Sequence, residues 1–346
     1  MSTSTWVVVL AGGVGSRFWP LSTPARPKQL LPLVSDQPML RDTLDRLAPL
    51  AVAERTLVLT NASLVPTIRA VAPELPADNV IAEPRPAGTA AALAWAAQEI
   101  VRRDGREATM LSMHADSAIG DVALFRVRLG QAVQAAQGEH ALVTVGIVPT
   151  HPDTGLGYIE PGAPASGGTA RHVVQFIEKP SAERAKELVD AGCLWNSGIF
   201  AWRAGDFLDE LSALCPEVAP ALAAHGDDAS AFFAAVQSIA VDVGVLERSA
   251  RVMVVAGDFG WSDVGTWSAL RLVREGDEHG NVTAGAAYLR DAVGNVVHSD
   301  GPRVVLYGVR DLVVVSTSGL TLVTTVERAA DLKALLADLP DEVRSR

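Results

Sequence analysis

The stretch Thr5-Trp-Val-Val-Val-Leu-Ala-Gly-Gly-Val-Gly-Ser-Arg-Phe-Trp-Pro-Leu21 decides how the chain is to be read. Thr5–Leu10 is a short apolar, β-branched run, the pattern of a buried strand. It ends in Ala11-Gly12-Gly13, where glycine lets backbone N–H groups approach an anion closely. Two phosphate-binding templates fail here. The dinucleotide pattern through Gly13 and Gly15 needs glycine where Phe18 stands, and the Walker pattern from Gly12 needs Gly-Lys at Arg17-Phe18. Pro20 and Pro24 prevent a long helix directly after the turn. The chain beyond the turn is cationic instead: it carries Arg17, Arg26 and Lys28, with no acid before Asp36. That gap predicts a locally positive rim.

Outward from this turn, strands and helices alternate. Met39–Leu47 carries a helical apolar stripe, Thr56–Leu59 reads as a strand, and Thr89–Val101 as an alanine-rich helix. Ala108–Met113 and Ala141–Ile147 read as strands on either side of a helix at Phe125–Ala136. This order predicts an α/β fold with a doubly wound, mostly parallel sheet. Gly155–Glu160, Val173–Glu178, Trp195–Trp202 and Arg251–Ala256 read as further strands, with helices at Ser181–Asp190 (Ser181 as N-cap) and Ala204–Leu214. After about Asn281 the texture changes to short β runs: Asn295–His298, Arg303–Tyr307, Leu312–Ser316 and Leu320–Thr324. A closing helix carries Leu332, Leu335, Leu336 and Leu339. The expected division is 1–280 and 281–346, the second part being a small β module with its helix. That module packs either on its own domain or across a homodimer.

Composition narrows the class. The 346 residues are 49% hydrophobic and 20% charged, enough for a sizeable core. A net charge of −11 argues against a nucleic-acid-coating protein but leaves room for a small anion held by local cations. No apolar run approaches a membrane span, and the first residues lack a signal core. Two cysteines and no Cys/His cluster argue against a disulfide framework or a zinc site, so a cytoplasmic setting is expected. Lysine occurs only as Lys28, Lys179, Lys186 and Lys333; every other basic residue apart from histidine is arginine.

The pattern G-G-x-G-x-R-x-x-P-L…P-K-Q resembles the signature of the sugar-1-phosphate nucleotidylyltransferases. The longer W-P-L-S…P-K-Q-L-L is similar to their mannose-1-phosphate guanylyltransferase (GDP-mannose pyrophosphorylase) branch. The resemblance covers Trp6 to about Leu339 and brings in no second, isomerase module. It implies the Rossmann-like sheet of the nucleotide-diphospho-sugar transferases with a β-helix-like C-terminal module. It also implies that Leu10, Ala11, Gly12, Gly13, Gly15, Ser16, Arg17 and Lys28 hold the triphosphate of GTP.

Further strings agree. Glu83-Pro84-Arg85-Pro86-Ala87-Gly88-Thr89-Ala90 resembles a base-recognition segment, E-P-x-x-R-N-T-A, with Ala87-Gly88 in place of Arg-Asn. A carboxylate can accept from guanine N1–H and its amine together, so Glu83 is the candidate, with Pro84, Gly88 and Thr89 beside the nucleotide. An exposed loop acid would read the same way. Asp116, in His114-Ala-Asp-Ser117, ends a strand at the carboxyl edge of the sheet, where ligands bind in such folds. Asp263 lies in Gly257-Asp-Phe-Gly-Trp-Ser-Asp-Val-Gly-Thr-Trp267, which matches the family closely. Two carboxylates with triphosphate oxygens and waters would make a Mg²⁺ site; for Asp116 alone a capping role reads equally well. Phe176-Ile-Glu-Lys-Pro180, Trp195-Asn-Ser-Gly-Ile-Phe200 and Gly155-Leu-Gly-Tyr-Ile-Glu160 resemble the sugar-phosphate segments, which implicates Gly157, Glu178, Lys179 and Asn196. Val241–Arg248 resembles a segment read here as structural or pocket lining.

The expectation is an enzyme that makes GDP-mannose and pyrophosphate from GTP and mannose 1-phosphate. Arg17, Lys28 and Lys179 would be its catalytic cations and Asp116 and Asp263 its metal ligands, with no membrane or nucleic-acid partner. UTP or dTTP with glucose 1-phosphate, and a catalytically silent nucleotide-sugar binder, stay open as alternatives. A Rossmann oxidoreductase is weakened by Phe18.

Overall fold

The computed structural model describes residues 4–13 and 15–344. The chain forms two compact units: Met1–Gly12, Leu44–Ala115 and Asp121–Trp261 make the first, and Gly13–Thr43, Asp116–Gly120 and Ser262–Arg346 the second.

The first unit is built on nine of the first ten strands: β1 (Thr5–Leu10), β2 (Thr56–Asn61), β3 (Val80–Glu83), β4 (Thr109–His114), β6 (Leu142–Ile147), β7 (Tyr158–Pro164), β8 (Arg171–Ile177), β9 (Leu194–Arg203) and β10 (Val252–Gly257). The remaining one, β5 (Ala118–Ile119), is a two-residue strand outside this sheet. The order is β3-β2-β1-β4-β9-β6-β10-β8-β7. β1 to β4 pair in parallel, as do β6 and β10, and β7 runs in the same sense. β8 and β9 run against them, and β9 does so in the middle of the sheet, between β4 and β6. Apolar periodicity reports a buried strand but not its direction, so the reversal at Trp195–Trp202 could not be read from the run itself.

β1 is buried along Trp6–Leu10, as its continuous apolar run predicts. The alanine-rich helix extends beyond expectation, over Gly88–Asp104, and buries Ala90, Ala91, Ala92, Ala94, Ala96 and Ala97. Side chains this small let a helix lie close to its neighbours. Trp95 adds area by stacking on Phe232 at 5.4 Å. Ser181 caps the helix Ala182–Asp190 by accepting from Arg184 N.

The second unit explains why the residues after the glycine turn do not form a long helix. Phe18, Trp19, Leu21, Leu31 and Leu33 share one core with Val264, Trp267 and Leu270, and with Val313, Val315 and Leu332 of the C-terminal module. Trp267 Nε1 donates to Trp19 O at 3.2 Å, and Arg274 reaches the carbonyls of Pro32 and Leu33. The compact units therefore cut across the boundary expected at residue 280.

After the two-residue strand β11 (Trp261–Ser262), the module holds β12 (Val282–Arg290), β13 (Val296–Tyr307), β14 (Leu312–Ser316) and β15 (Thr321–Thr325). β12, β13 and β14 are parallel neighbours, while β15 returns antiparallel. Parallel neighbours ordinarily need crossovers of a dozen residues or more. The links 291–295 and 308–311 are too short for that, so the strands are successive turns of a coil, as the β-helix-like expectation has it.

The signal that sequence reading missed is the repeat Gly280-Asn281-Val282 and Gly294-Asn295-Val296. Asn281 Oδ1 accepts from Asn295 N at 2.9 Å and Nδ2 at 2.8 Å, and Asn295 Oδ1 accepts from Leu312 N at 2.9 Å. The ladder fixes one corner of the coil. The expected runs Asn295–His298 and Arg303–Tyr307 are one strand. In the closing helix Leu332 is buried and Leu336 and Leu339 pack on the core, but Leu335 is exposed. At three residues per step it falls to the flank of a stripe that i, i+4 and i+7 already fill.

Candidate active site

In the second unit three segments meet around one ammonium group. Lys28 opens a tight turn, Lys28–Leu30, and is buried. Its Nζ donates to Asp116 O at 2.8 Å and Asp263 O at 2.5 Å, and pairs with Asp116 Oδ2 at 3.0 Å. These three acceptors match the three N–H groups of an ammonium. Gly15 makes the approach possible. Its φ is +65°, and a Cβ there would lie 2.3 Å from Lys28 Cβ. Ser22 Oγ donates to Gly15 O at 2.8 Å and holds the turn. A Cβ on Gly13 would meet nothing within 4 Å. The side chain of Ser16 lies outside the described residues.

Arg17 Nη1 donates to Gly265 O at 3.2 Å, and Asp263 Oδ1 accepts from Gly265 N at 3.1 Å. A Cβ on Gly265 would stand 2.7 Å from Asp263 Oδ2 and 3.0 Å from Arg17 Nη1. Sequence reading passed over Gly265, although it lies inside the Asp263 motif. The positive rim is also modified. Lys28 is met by Asp116 and Arg26 by Asp300 at 3.2 Å, so acids distant in sequence neutralise two of the three cations.

The donor chemistry around Lys28 suits a hard divalent cation. Asp116 and Asp263 each offer carboxylate oxygens and are tied to one ammonium through their carbonyls. Among the described residues no group of three His, Cys, Asp or Glu could enclose a metal. Mg²⁺ commonly takes one or two carboxylates and completes its shell with water and phosphate oxygens.

In the first unit β1 delivers the start of the glycine turn. Leu10 O accepts from Ala115 N at 3.0 Å, Ala11 N donates to Leu59 O at 2.8 Å, and Thr60 Oγ1 donates to Ala11 O at 3.0 Å. Glu83, at the end of β3, is buried beside Gly12: its Oε1 would be 3.4 Å from a Cβ there. Burial pushes the Glu83 carboxyl up to about 7. Pro84 is exposed. Gly88 has φ +82°, and a Cβ on it would strike Ile239 O at 2.3 Å. Thr89 Oγ1 accepts from Val241 N at 2.9 Å. Gly88 and Thr89 thus grip the Ile239–Val241 segment, a packing duty the motif reading did not anticipate.

The sugar-phosphate candidates also gather in this unit. A Cβ on Gly157 would lie 2.6 Å from Glu178 Oε2 and 3.7 Å from Asn196 Cβ. Asn196 N donates to Gly157 O at 2.8 Å. Asn196 sits where the pairing of β6 and β9 slips between Thr144 and Gly146, an irregularity that turns residues out of the ladder. Lys179 pairs with Glu178 at 3.0 Å, with φ +42°. A lysine held in the left-handed region is strained, and such strain gathers at ligand sites. Two residues were not singled out from sequence. Asp242 Oδ1 accepts from Asn196 Nδ2 at 2.7 Å, and the His114 ring stands 3.0 Å from the Cβ position of Gly198.

A mixed sheet with seven strands in one sense, a glycine turn after its first strand and a lysine bound between two aspartates defines a nucleotide-transferring enzyme. The nucleotidyl transferase family pattern matches residues 6–279, and the chain belongs to that family. Over 98% of its length it is 38% identical to the mannose-1-phosphate guanylyltransferase of Klebsiella pneumoniae, spanning 74% of that protein. It is 35% identical to the alginate biosynthesis protein AlgA of Pseudomonas putida, again over 98% of the chain and 72% of the relative. A solved structure from Thermus thermophilus, described as a mannose-1-phosphate geranyltransferase, superposes with a TM-score of 0.88 at 34% identity. It covers 97% of this chain and 99% of that one. Enzymes of this family generally work with a divalent metal ion. Among the described residues no helix is long and apolar enough to cross a membrane.

Proposed function

We propose that the chain transfers GMP from GTP to mannose 1-phosphate, giving GDP-mannose and pyrophosphate. The observation that carries this reading is the Lys28 ammonium tied to Asp116 and Asp263 behind the glycine turn. A sugar-phosphate oxygen attacks the α-phosphorus of GTP in line, and the bond to the β-phosphate oxygen breaks as pyrophosphate leaves. The attacking monoester is already ionised at neutral pH, so the protein need not remove a proton. Catalysis is then positioning and charge stabilisation.

Backbone groups from Leu10 to Gly15 and the Arg17 guanidinium would hold the triphosphate. Lys28, whose donors are all engaged, would keep Asp116 and Asp263 in place and add its positive charge behind the phosphates. Mg²⁺, held by those two aspartates, would supply charge neutralisation at the phosphate oxygens. Glu83 would accept from the guanine edge. Lys179 would pair with the sugar phosphate, while Glu178, Asn196 and the backbone at Gly157 would meet sugar hydroxyls.

The relatives named for mannose 1-phosphate guanylyl transfer support this choice of substrates. Ala87-Gly88, where the resembling segment has Arg-Asn, favours testing other nucleotides as well. Pyrophosphate release from GTP, UTP, dTTP and ATP, each paired with mannose 1-phosphate and glucose 1-phosphate, is the test. A dominant rate with any pair other than GTP and mannose 1-phosphate would overturn the proposal.

A further inference from the structure

The segment Val241–Arg248, read from sequence as lining, contains a single π-helical turn, Asp242–Leu246. Single π-helical turns occur frequently at functional sites. Asp242 stands at the start of this one, and its placement is determined from both sides. On the backbone side, Ala90 N donates to Ile239 O at 3.2 Å, and Val241 N donates to Thr89 Oγ1 at 2.9 Å. On the side-chain side, Asp242 Oδ1 accepts from Asn196 Nδ2 at 2.7 Å. That bond orients the Asn196 amide so that its Oδ1 accepts from Gly198 N at 3.2 Å. One Nδ2 proton of Asn196 remains for another acceptor.

We propose that Asp242 is a positioning residue for the sugar phosphate, acting by locking the amide of Asn196. This rests on the sugar-phosphate reading of the site proposed above. The carboxyl is held here at an electrostatic cost. Burial pushes the Asp242 carboxyl up, while the Asn196 hydrogen bond and the nearby His114 oppose the shift and Glu178 adds to it. A leucine or alanine would fill this place without that burden, so the carboxylate is explained by what it orients. Glu247, following the same turn, is raised by burial and by Asp242 and Glu178, and makes no contact with Asn196 among the hydrogen bonds described.

The test uses the full chain with its metal and compares Asp242→Ala, Asp242→Asn, Asn196→Ala and the double alanine variant. Loss of a charge-assisted hydrogen bond corresponds to about a tenfold effect or more. Asp242→Ala is expected to raise KM for the sugar phosphate about tenfold, leaving KM for the nucleotide and the melting temperature near their original values. Asp242→Asn keeps an acceptor facing Asn196 and is expected to recover most of that loss. In the Asn196→Ala background, Asp242→Ala is expected to add little. Unchanged sugar-phosphate KM in Asp242→Ala, a parallel rise in both KM values with a lowered melting temperature, or full additivity with Asn196→Ala would each overturn the proposal. If the unsubstituted enzyme prefers another sugar phosphate, the same comparison runs with that sugar, so a wrong substrate and a wrong role for Asp242 give different results.

Discussion

Replacing Lys28 by methionine removes one charge while nearly preserving volume, so packing beneath Gly15 and beside the Phe18 ring, 5.9 Å from Nζ, is retained. What is lost is the ammonium that satisfies Asp116 O, Asp263 O and Asp116 Oδ2. Breaking one side of a fully buried ion pair costs about 3–5 kcal/mol. The Lys28 side chain is 7% exposed but that of Asp116 is 33% exposed, so water recovers part of the carboxylate's solvation. The remaining cost is about 2–3 kcal/mol, which for a chain of this length lowers the melting temperature by roughly 3–4 °C. Turnover should fall further than stability, by about a thousandfold, because both proposed metal ligands lose their common anchor. Differential scanning fluorimetry and pyrophosphate release on the same preparation measure both effects. A variant with an unchanged melting temperature would show that Lys28 is not the structural hub described, whatever its rate. Turnover within tenfold of the original enzyme would remove it from the reaction.

Glu83→Gln probes the buried carboxyl. Its raised value, about 7 against 4.5, means the folded state binds a proton between these values that the unfolded state releases. Stability therefore falls as pH rises from about 4.5 to 7, by about 3 kcal/mol in total. Glutamine should thus raise the melting temperature at pH 8 and change it little at pH 4; equal shifts at both would contradict the burial argument. If Glu83 reads guanine as a carboxylate, KM for GTP in the original enzyme should also rise below about pH 7. Gly15→Ala forces a Cβ to within 2.3 Å of Lys28 Cβ at φ +65°, and should reduce both stability and turnover; a variant with original kinetics would refute the close approach. Arg17→Ala removes a largely exposed side chain, so the melting temperature should hold within experimental error while KM for GTP rises. Chelation with EDTA should abolish pyrophosphate release and leave the circular dichroism spectrum intact, with activity returning on addition of Mg²⁺.

Much of this was legible in local sequence. The apolar run Thr5–Leu10 read as a buried strand, and Pro20 and Pro24 excluded a long helix directly after the glycine turn. Met39–Leu47 and Ala204–Leu214 were readable to the residue because their stripes are strong and their ends are marked. Local signals were silent on three matters. The reversed direction of β9 follows from pairing with β4 and β6, which periodicity does not encode. The partners of the cations Arg26 and Lys28 are Asp300 and Asp116, far along the chain. Asp242 became visible only when the β6–β9 irregularity placed Asn196 against it.

The sequence by itself determined which residue types were available at the site: a flexible glycine turn, three cations without an acid among them, and carboxylates at strand ends. Those properties are local, because backbone freedom and charge belong to single residues. Only the tertiary structure decided what each group does with its neighbours. Lys28 is a saturated hub rather than a free cation, Glu83 holds its proton to near neutrality, and Gly88 is required by the carbonyl of Ile239. Hydrogen-bond saturation, burial and steric exclusion are properties of groups brought together in space, and no single stretch of chain contains them.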